Sequence, residues 1–210
     1  MSAQLLQDRD YTILIARSHA SRDRAHPWHR EWIEAQTALI DLAKQCQQFD
    51  PDGLTIYEVS GMILKYSQSD VVTFARILQQ NHRQSVTVVP EMSVLEAIKD
   101  AFDDYSRRKA DGKIKKGGEI IVAVIDYQEA DTVEAIANLI IEVTESLESN
   151  EDLGISFIQI GNDEFTRKFL TSLDNDLPRM GATFDIVDTK YWHEIPRQSI
   201  AQFLVDAIHD

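Results

Sequence analysis

The stretch Ala16-Arg17-Ser18-His19-Ala20 places reactive and charged side chains where a fold could use them. It follows Tyr11-Thr12-Ile13-Leu14-Ile15, an apolar and β-branched run that reads as a buried strand of a parallel sheet. In open α/β sheets, ligands bind where loops leave the carboxyl ends of strands. This loop offers one hydroxyl (Ser18), no carboxylate and no glycine. Arg17, His19 and, a little further on, Arg22 can hydrogen-bond a carboxylate, arginine in bidentate fashion. A second acid, Asp126, closes the run Glu119-Ile120-Ile121-Val122-Ala123-Val124-Ile125, and Glu91, Ser93 and Asp131 stand near it in the expected order of loops.

Several chemistries fail for want of parts. Phosphoryl transfer on a fold of this kind needs a nucleophilic aspartate at the end of the first strand, and Ala16 is there instead. Neither G-x-G-x-x-G nor G-x-x-x-x-G-K-[ST] occurs, so there is no glycine-rich phosphate cradle, and no G-x-S-x-G elbow occurs either. His19, His26 and His29 are close in sequence, yet neither cysteine nor regular helical spacing accompanies them as a zinc site requires. Cys46 falls on a helix face and reads as a small core residue. No complete catalytic constellation can be assembled, so the chain is not read as an enzyme. Trp32 is expected to pack on a helix face. Trp28 and Trp192 fall in loops and are placed to be aromatic anchors on a binding rim.

The chain has 210 residues and a formal net charge of −14, from 35 acidic and 21 basic residues. That length suits one α/β domain over residues 1–210. The charge argues against nonspecific nucleic-acid binding, which needs a basic face. Basic residues gather only at Arg17, Arg22, Arg24 and Arg30, and again at Arg107, Arg108, Lys109, Lys113, Lys115 and Lys116, both read as solvated loops. No apolar run approaches the roughly 20 residues of a membrane span, and Met1 to Asp10 lacks the layout of a signal peptide. With a single cysteine, the expected compartment is the cytoplasm.

The elements that would position these residues alternate. Strands are expected at about 11–16, 54–59, 62–66 (a short edge strand), 119–126, 155–161 and 183–188; 86–89 is a strand or an extended connector. Helices are expected at about 30–48, 70–80, from Ser93 onward, 131–148, 163–173 and 199–208. Phe49-Asp50-Pro51-Asp52-Gly53 stops the first long helix, Asp70 caps the next, and Ser93 with Glu96 forms a capping box. The alternation implies right-handed crossovers and a doubly wound, Rossmann-like, mostly parallel sheet of about six strands with one short antiparallel edge strand and helices on both faces.

Taken in order, these pieces resemble the von Willebrand factor type A domain, in particular its cytosolic bacterial and fungal members, over nearly the whole chain. The carriers are Tyr11 to Ile15; Trp32 with Ala35; Phe49 to Leu54; Val124-Ile125-Asp126; Phe157 to Asp163; Phe169-Leu170; Leu173-Asp174; and Gly181 to Thr189. The resemblance implies a metal-ion-dependent adhesion site built from three loops, in which Asp-x-Ser-x-Ser, a threonine and an aspartate followed by glycine hold magnesium. Carried over by position, the first aspartate falls on Ala16, the two serines on Ser18 and Ala20, the threonine on Met92, and the last aspartate on Asp126, with Tyr127 in place of the glycine. Only Ser18 and Asp126 keep an oxygen donor, too few for a hard octahedral ion.

The resulting expectation is a protein-interaction or scaffold domain with a degenerate metal site and no cofactor. It would recognise a partner through Arg17, Ser18, His19, Arg22, Trp28, Glu91 and Asp126 on the strand-end loops. By resemblance, an AAA-type ATPase is a plausible class of partner. The alternative is a magnesium-dependent adhesion or adaptor domain with a non-standard ligand set, rebuilt around Glu91 or His19.

Overall fold

The run Glu119–Ile125 is buried at every position, as a strand must be when helices cover both faces of its sheet. The computed structural model describes residues 2–59, 63–80, 94–130, 132–194 and 200–208. In chain order their elements are α1 (Ser2–Leu5), β1 (Asp10–Ala16), α2 (His19–Arg22), α3 (Pro27–Phe49), β2 (Leu54–Val59), β3 (Ile63–Ser69), α4 (Val71–Gln80) and α5 (Val94–Ala110). Then follow β4 (Glu119–Ile125), α6 (Val133–Glu145), β5 (Leu153–Gln159), α7 (Glu164–Asp176), a 3-10 turn (Leu177–Met180), β6 (Val187–Tyr191) and α8 (Ile200–Asp206).

The six strands lie in the order β3-β2-β1-β4-β5-β6. All pairings are parallel except β2 with β3. This is the expected Rossmann-like α/β sheet with its antiparallel edge strand. Side-chain alternation splits the core in two. Tyr11, Ile13 and Ile15 of β1 join Ile120, Val122 and Val124 of β4 beneath α3, α4 and α8. Leu14 with Ile121, Ala123 and Ile125 faces α5, α6 and α7 on the other side. Each such aliphatic side chain contributes about 1.5–3 kcal/mol when withdrawn from water. The chain reverses its direction of strand addition between β1 and β4, so the switch point lies where Ala16 pairs with Ile125.

Three elements depart from expectation. α3 begins at Pro27, three residues early, because His26 caps it: its Nδ1 accepts from the Trp28 amide at 3.3 Å, and Pro27 takes the first turn. Trp28 is therefore on a helix and not in a loop. β6 occupies Val187–Tyr191 instead of 183–188. Thr183 to Asp185 remain outside the sheet, and pairing begins where the Ile155 amide donates to Ile186 O at 2.7 Å. The antiparallel edge strand runs on to Ser69.

The second basic stretch is only partly a solvated loop: Arg107 and Lys113 are exposed, but Arg108 and Lys115 are not. Arg108, on the last turn of α5, binds Asp104 and Asp10, each at 2.7 Å, and the buried Glu119. Lys115 pairs with the buried Asp50 and with Asp10 at 3.4 Å. These cations neutralise carboxylates at the amino-terminal edge of the sheet. The expected strand or connector at 86–89, the capping box at Ser93, and the site positions Glu91, Met92 and Asp131 lie outside the described residues. Among the described residues, no helix is long and apolar enough to cross a membrane.

Candidate functional site

Because Ala16 and Ile125 are register partners, the next residues of their strands, Arg17 and Asp126, leave the sheet side by side. Asp126 is 1% exposed. Its Oδ1 accepts from the Ser18 amide at 2.9 Å and its Oδ2 from Trp32 Nε1 at 2.7 Å. Burial raises the pKa of this carboxyl, against the pull of hydrogen bonds from Ser21, Ser18 and Trp32. The acid thus ties the first-strand loop to α3.

Arg17 is turned inward as well, at 5% exposure. Its guanidinium sits 5.1 Å over the Trp32 ring and donates to Ser21 O. His29 Nδ1 stands 3.5 Å from it and 3.0 Å from the same carbonyl. Burial lowers the Arg17 pKa to about 10, with Asp126 opposing the shift and Arg22 adding to it. The role expected for Arg17, gripping a partner's carboxylate, meets an obstacle: its guanidinium is buried and Nη2 donates to Ser21 O. Arg22 is half-buried, donates to Arg17 O at 2.8 Å, and faces the buried Glu58 of β2. Ser18 Oγ caps α2 by accepting from the Ser21 amide at 3.4 Å. His19 is exposed. Ala16 is buried and Ala20 half-buried, and neither has a side-chain oxygen.

These residues do not fit a magnesium ion. Magnesium demands six oxygens at about 2.0–2.1 Å in near-octahedral array. Each Asp126 oxygen already accepts one N–H, and among the described residues the only other side-chain oxygen at the positions expected to ligate is Ser18 Oγ, which caps α2. Arg17 supplies the positive charge that Asp126 faces. Among the described residues, no group of three or more His, Cys, Asp or Glu side chains could hold a metal. Cys46 is buried among apolar side chains, which pushes its thiol pKa up and leaves it inert.

The other strand-end loops meet the same helix. Trp28 Nε1 donates to Asn162 Oδ1 at 2.9 Å, and Glu31 Oε2 accepts from the Gly161 amide at 3.2 Å and from Trp192 Nε1 at 3.3 Å. Gly161 adopts φ +87°, and a Cβ there would come within 2.9 Å of the Trp28 ring. Both tryptophans expected on the rim are therefore half-buried with their indole N–H groups engaged. The exposed aromatics at this end are Tyr127 (42%) and Phe165 (44%). The segments that carry them meet where the Gln128 amide donates to Thr166 Oγ1 at 2.9 Å.

The sequence reading placed the contact face on loops that include Ser21 and Tyr127 but singled out neither, and it missed Phe165, Glu31 and Glu58. Scanning the chain against protein-family models gives no match, and a search among curated proteins gives none either.

Proposed function

We propose that this chain is a protein-interaction domain of the von Willebrand A type that contacts its partner directly, without a bridging ion, through the loops at the carboxyl ends of its strands. The observation that carries the reading is Asp126. It stands at the switch point where an open α/β sheet binds ligands, yet each of its oxygens already accepts an N–H, from Ser18 and from Trp32. Arg17, Trp32 and Asp126 are buried there, and the exposed rim is the surface proposed to recognise another molecule.

Tyr127 and Phe165 on that rim expose aromatic rings, the residue type that anchors protein interfaces. His19 stands exposed on the neighbouring loop and supplies a polar contact. Resemblance makes an AAA-type ATPase the first class of partner to try. The test is capture from native extract with immobilised protein, comparing wild type with Tyr127→Ser/Phe165→Ser in the presence of EDTA. A protein retained by wild type and lost by the double variant is expected. Recovery that is equal for both, or that EDTA abolishes, overturns the reading.

A further inference from the structure

Helix α3 meets the strand-end loops with residues of one face. Trp28, Glu31 and Trp32, spaced three and four apart, bond to Asn162, to Gly161 and Trp192, and to Asp126. His29 adds a contact to Ser21 in the loop after β1. The loops leaving β1, β4, β5 and β6 thus share one support, the first two turns of α3, beside the local ties of Gln128 to Thr166 and of Gln159 to Asp163. We infer that these two turns act as a coupling device: they dock or fray as a unit, and loosening one loop loosens the others.

The physical reason is the geometry of a helix end. The first N–H groups have no partner within the helix, so the first turns unwind most easily and gain their stability from outside. Here that stability comes from the loops themselves. Fraying breaks the bonds to Asn162, Gly161, Trp192 and Asp126 together, because all four acceptors or donors are gripped from consecutive turns. Removing one bond raises the frayed population and so loosens loops that the altered residue never touches. Conversely, a partner that grips one loop in the docked form holds the remaining loops in place, with no change of shape. This coupling is a property of the free protein and does not depend on whether the proposed interaction exists.

Amide hydrogen exchange on Trp28→Phe tests the inference, since phenylalanine keeps an aromatic ring and loses the N–H to Asn162. One amide reports at a distance: Ser18, which donates to Asp126; Gly161, which donates to Glu31, lies against the Trp28 ring and reports locally. The Ser18 amide should exchange about fivefold faster, the factor expected for one lost hydrogen bond, while Ile158, one residue from the end of β5, stays unchanged. Arg30→Ala, on the same turns but facing water, should alter none of them. Acceleration confined to Gly161, Asn162 and Asp163 overturns the proposal. So does an equal acceleration at Ile158, which would mean that Trp28 acts on global stability alone.

Discussion

Replacing Trp32 by phenylalanine and Asp126 by asparagine, singly and together, probes the bond on which the site is built. The Trp32 indole donates to a buried carboxylate at 2.7 Å, and hydrogen bonds to charged groups contribute about 1.5–3 kcal/mol. Trp32 is 1% exposed and lies beneath the Arg17 guanidinium, so the smaller ring adds about 1 kcal/mol through poorer packing and a weaker cation–π contact. Trp32→Phe should therefore cost about 3 kcal/mol. In Asp126→Asn the side chain keeps one acceptor for two N–H donors, and its NH2 must face either Ser18 or Trp32. A buried donor left in that state costs about 2 kcal/mol.

In the double variant the indole N–H is gone and the asparagine NH2 can turn to that side. The sum should then fall short of additivity by about 1.5 kcal/mol, well above the roughly 0.5 kcal/mol seen for independent sites. The charge removed opposite Arg17 is common to both asparagine variants and cancels in the cycle. Urea unfolding followed by far-ultraviolet circular dichroism measures all four proteins, and an unchanged slope confirms that stability alone has moved. Additive losses would refute the claim that Trp32 occupies the carboxylate.

Calorimetric titration of the intact chain with magnesium should give no saturable heat, and a saturable heat that disappears in Asp126→Ala would restore the ion-dependent alternative. Asp104 supplies a prediction with a definite sign. Burial opposes its ionisation, but hydrogen bonds from Arg108 and Lys65 outweigh burial and hold its pKa below the usual carboxylate range. A depressed pKa contributes stability above the unfolded value, near 3.9, and loses it as pH falls through the folded one. Asp104→Asn should accordingly be less stable by about 1 kcal/mol at pH 7, with the gap to wild type closing as pH falls below the unfolded value and through the lower folded one; a gap independent of pH in urea titrations would contradict the ion-pair assignment.

Where neighbours in sequence settle the structure, the residues could be read. Val122 and Val124 alternate with Ile121 and Ala123 in a run too apolar for anything but a central strand. Asp70 caps α4 through the Thr73 amide at 2.8 Å, and Gly53 takes the positive φ that ends the turn after α3. These are contacts over a few residues, and residue type fixes them. The early start of α3 escaped because histidine is an uncommon cap, and β6 because Thr183 to Asp185 carry the composition of a strand while lying outside the sheet.

The site itself was legible only in part. Ser18 and Asp126 stand at the ends of readable strands, and their juxtaposition follows from the order of the sheet. Arg17 could not be placed, since arginine is among the residues most often exposed and here is drawn inside by a tryptophan and a carbonyl.

By itself, then, the sequence determined the alternation of strands and helices and the absence of oxygen donors at Ala16 and Ala20, both properties of local pattern and residue identity. The tertiary structure decided which side chains occupy the crevice and which reach water. Trp32 meets Asp126 across 94 residues, and Arg108 meets Asp10 across 98. No short-range periodicity encodes such pairings; they arise when packing two layers of helices on the sheet fixes the distance between parts of the chain that sequence leaves far apart.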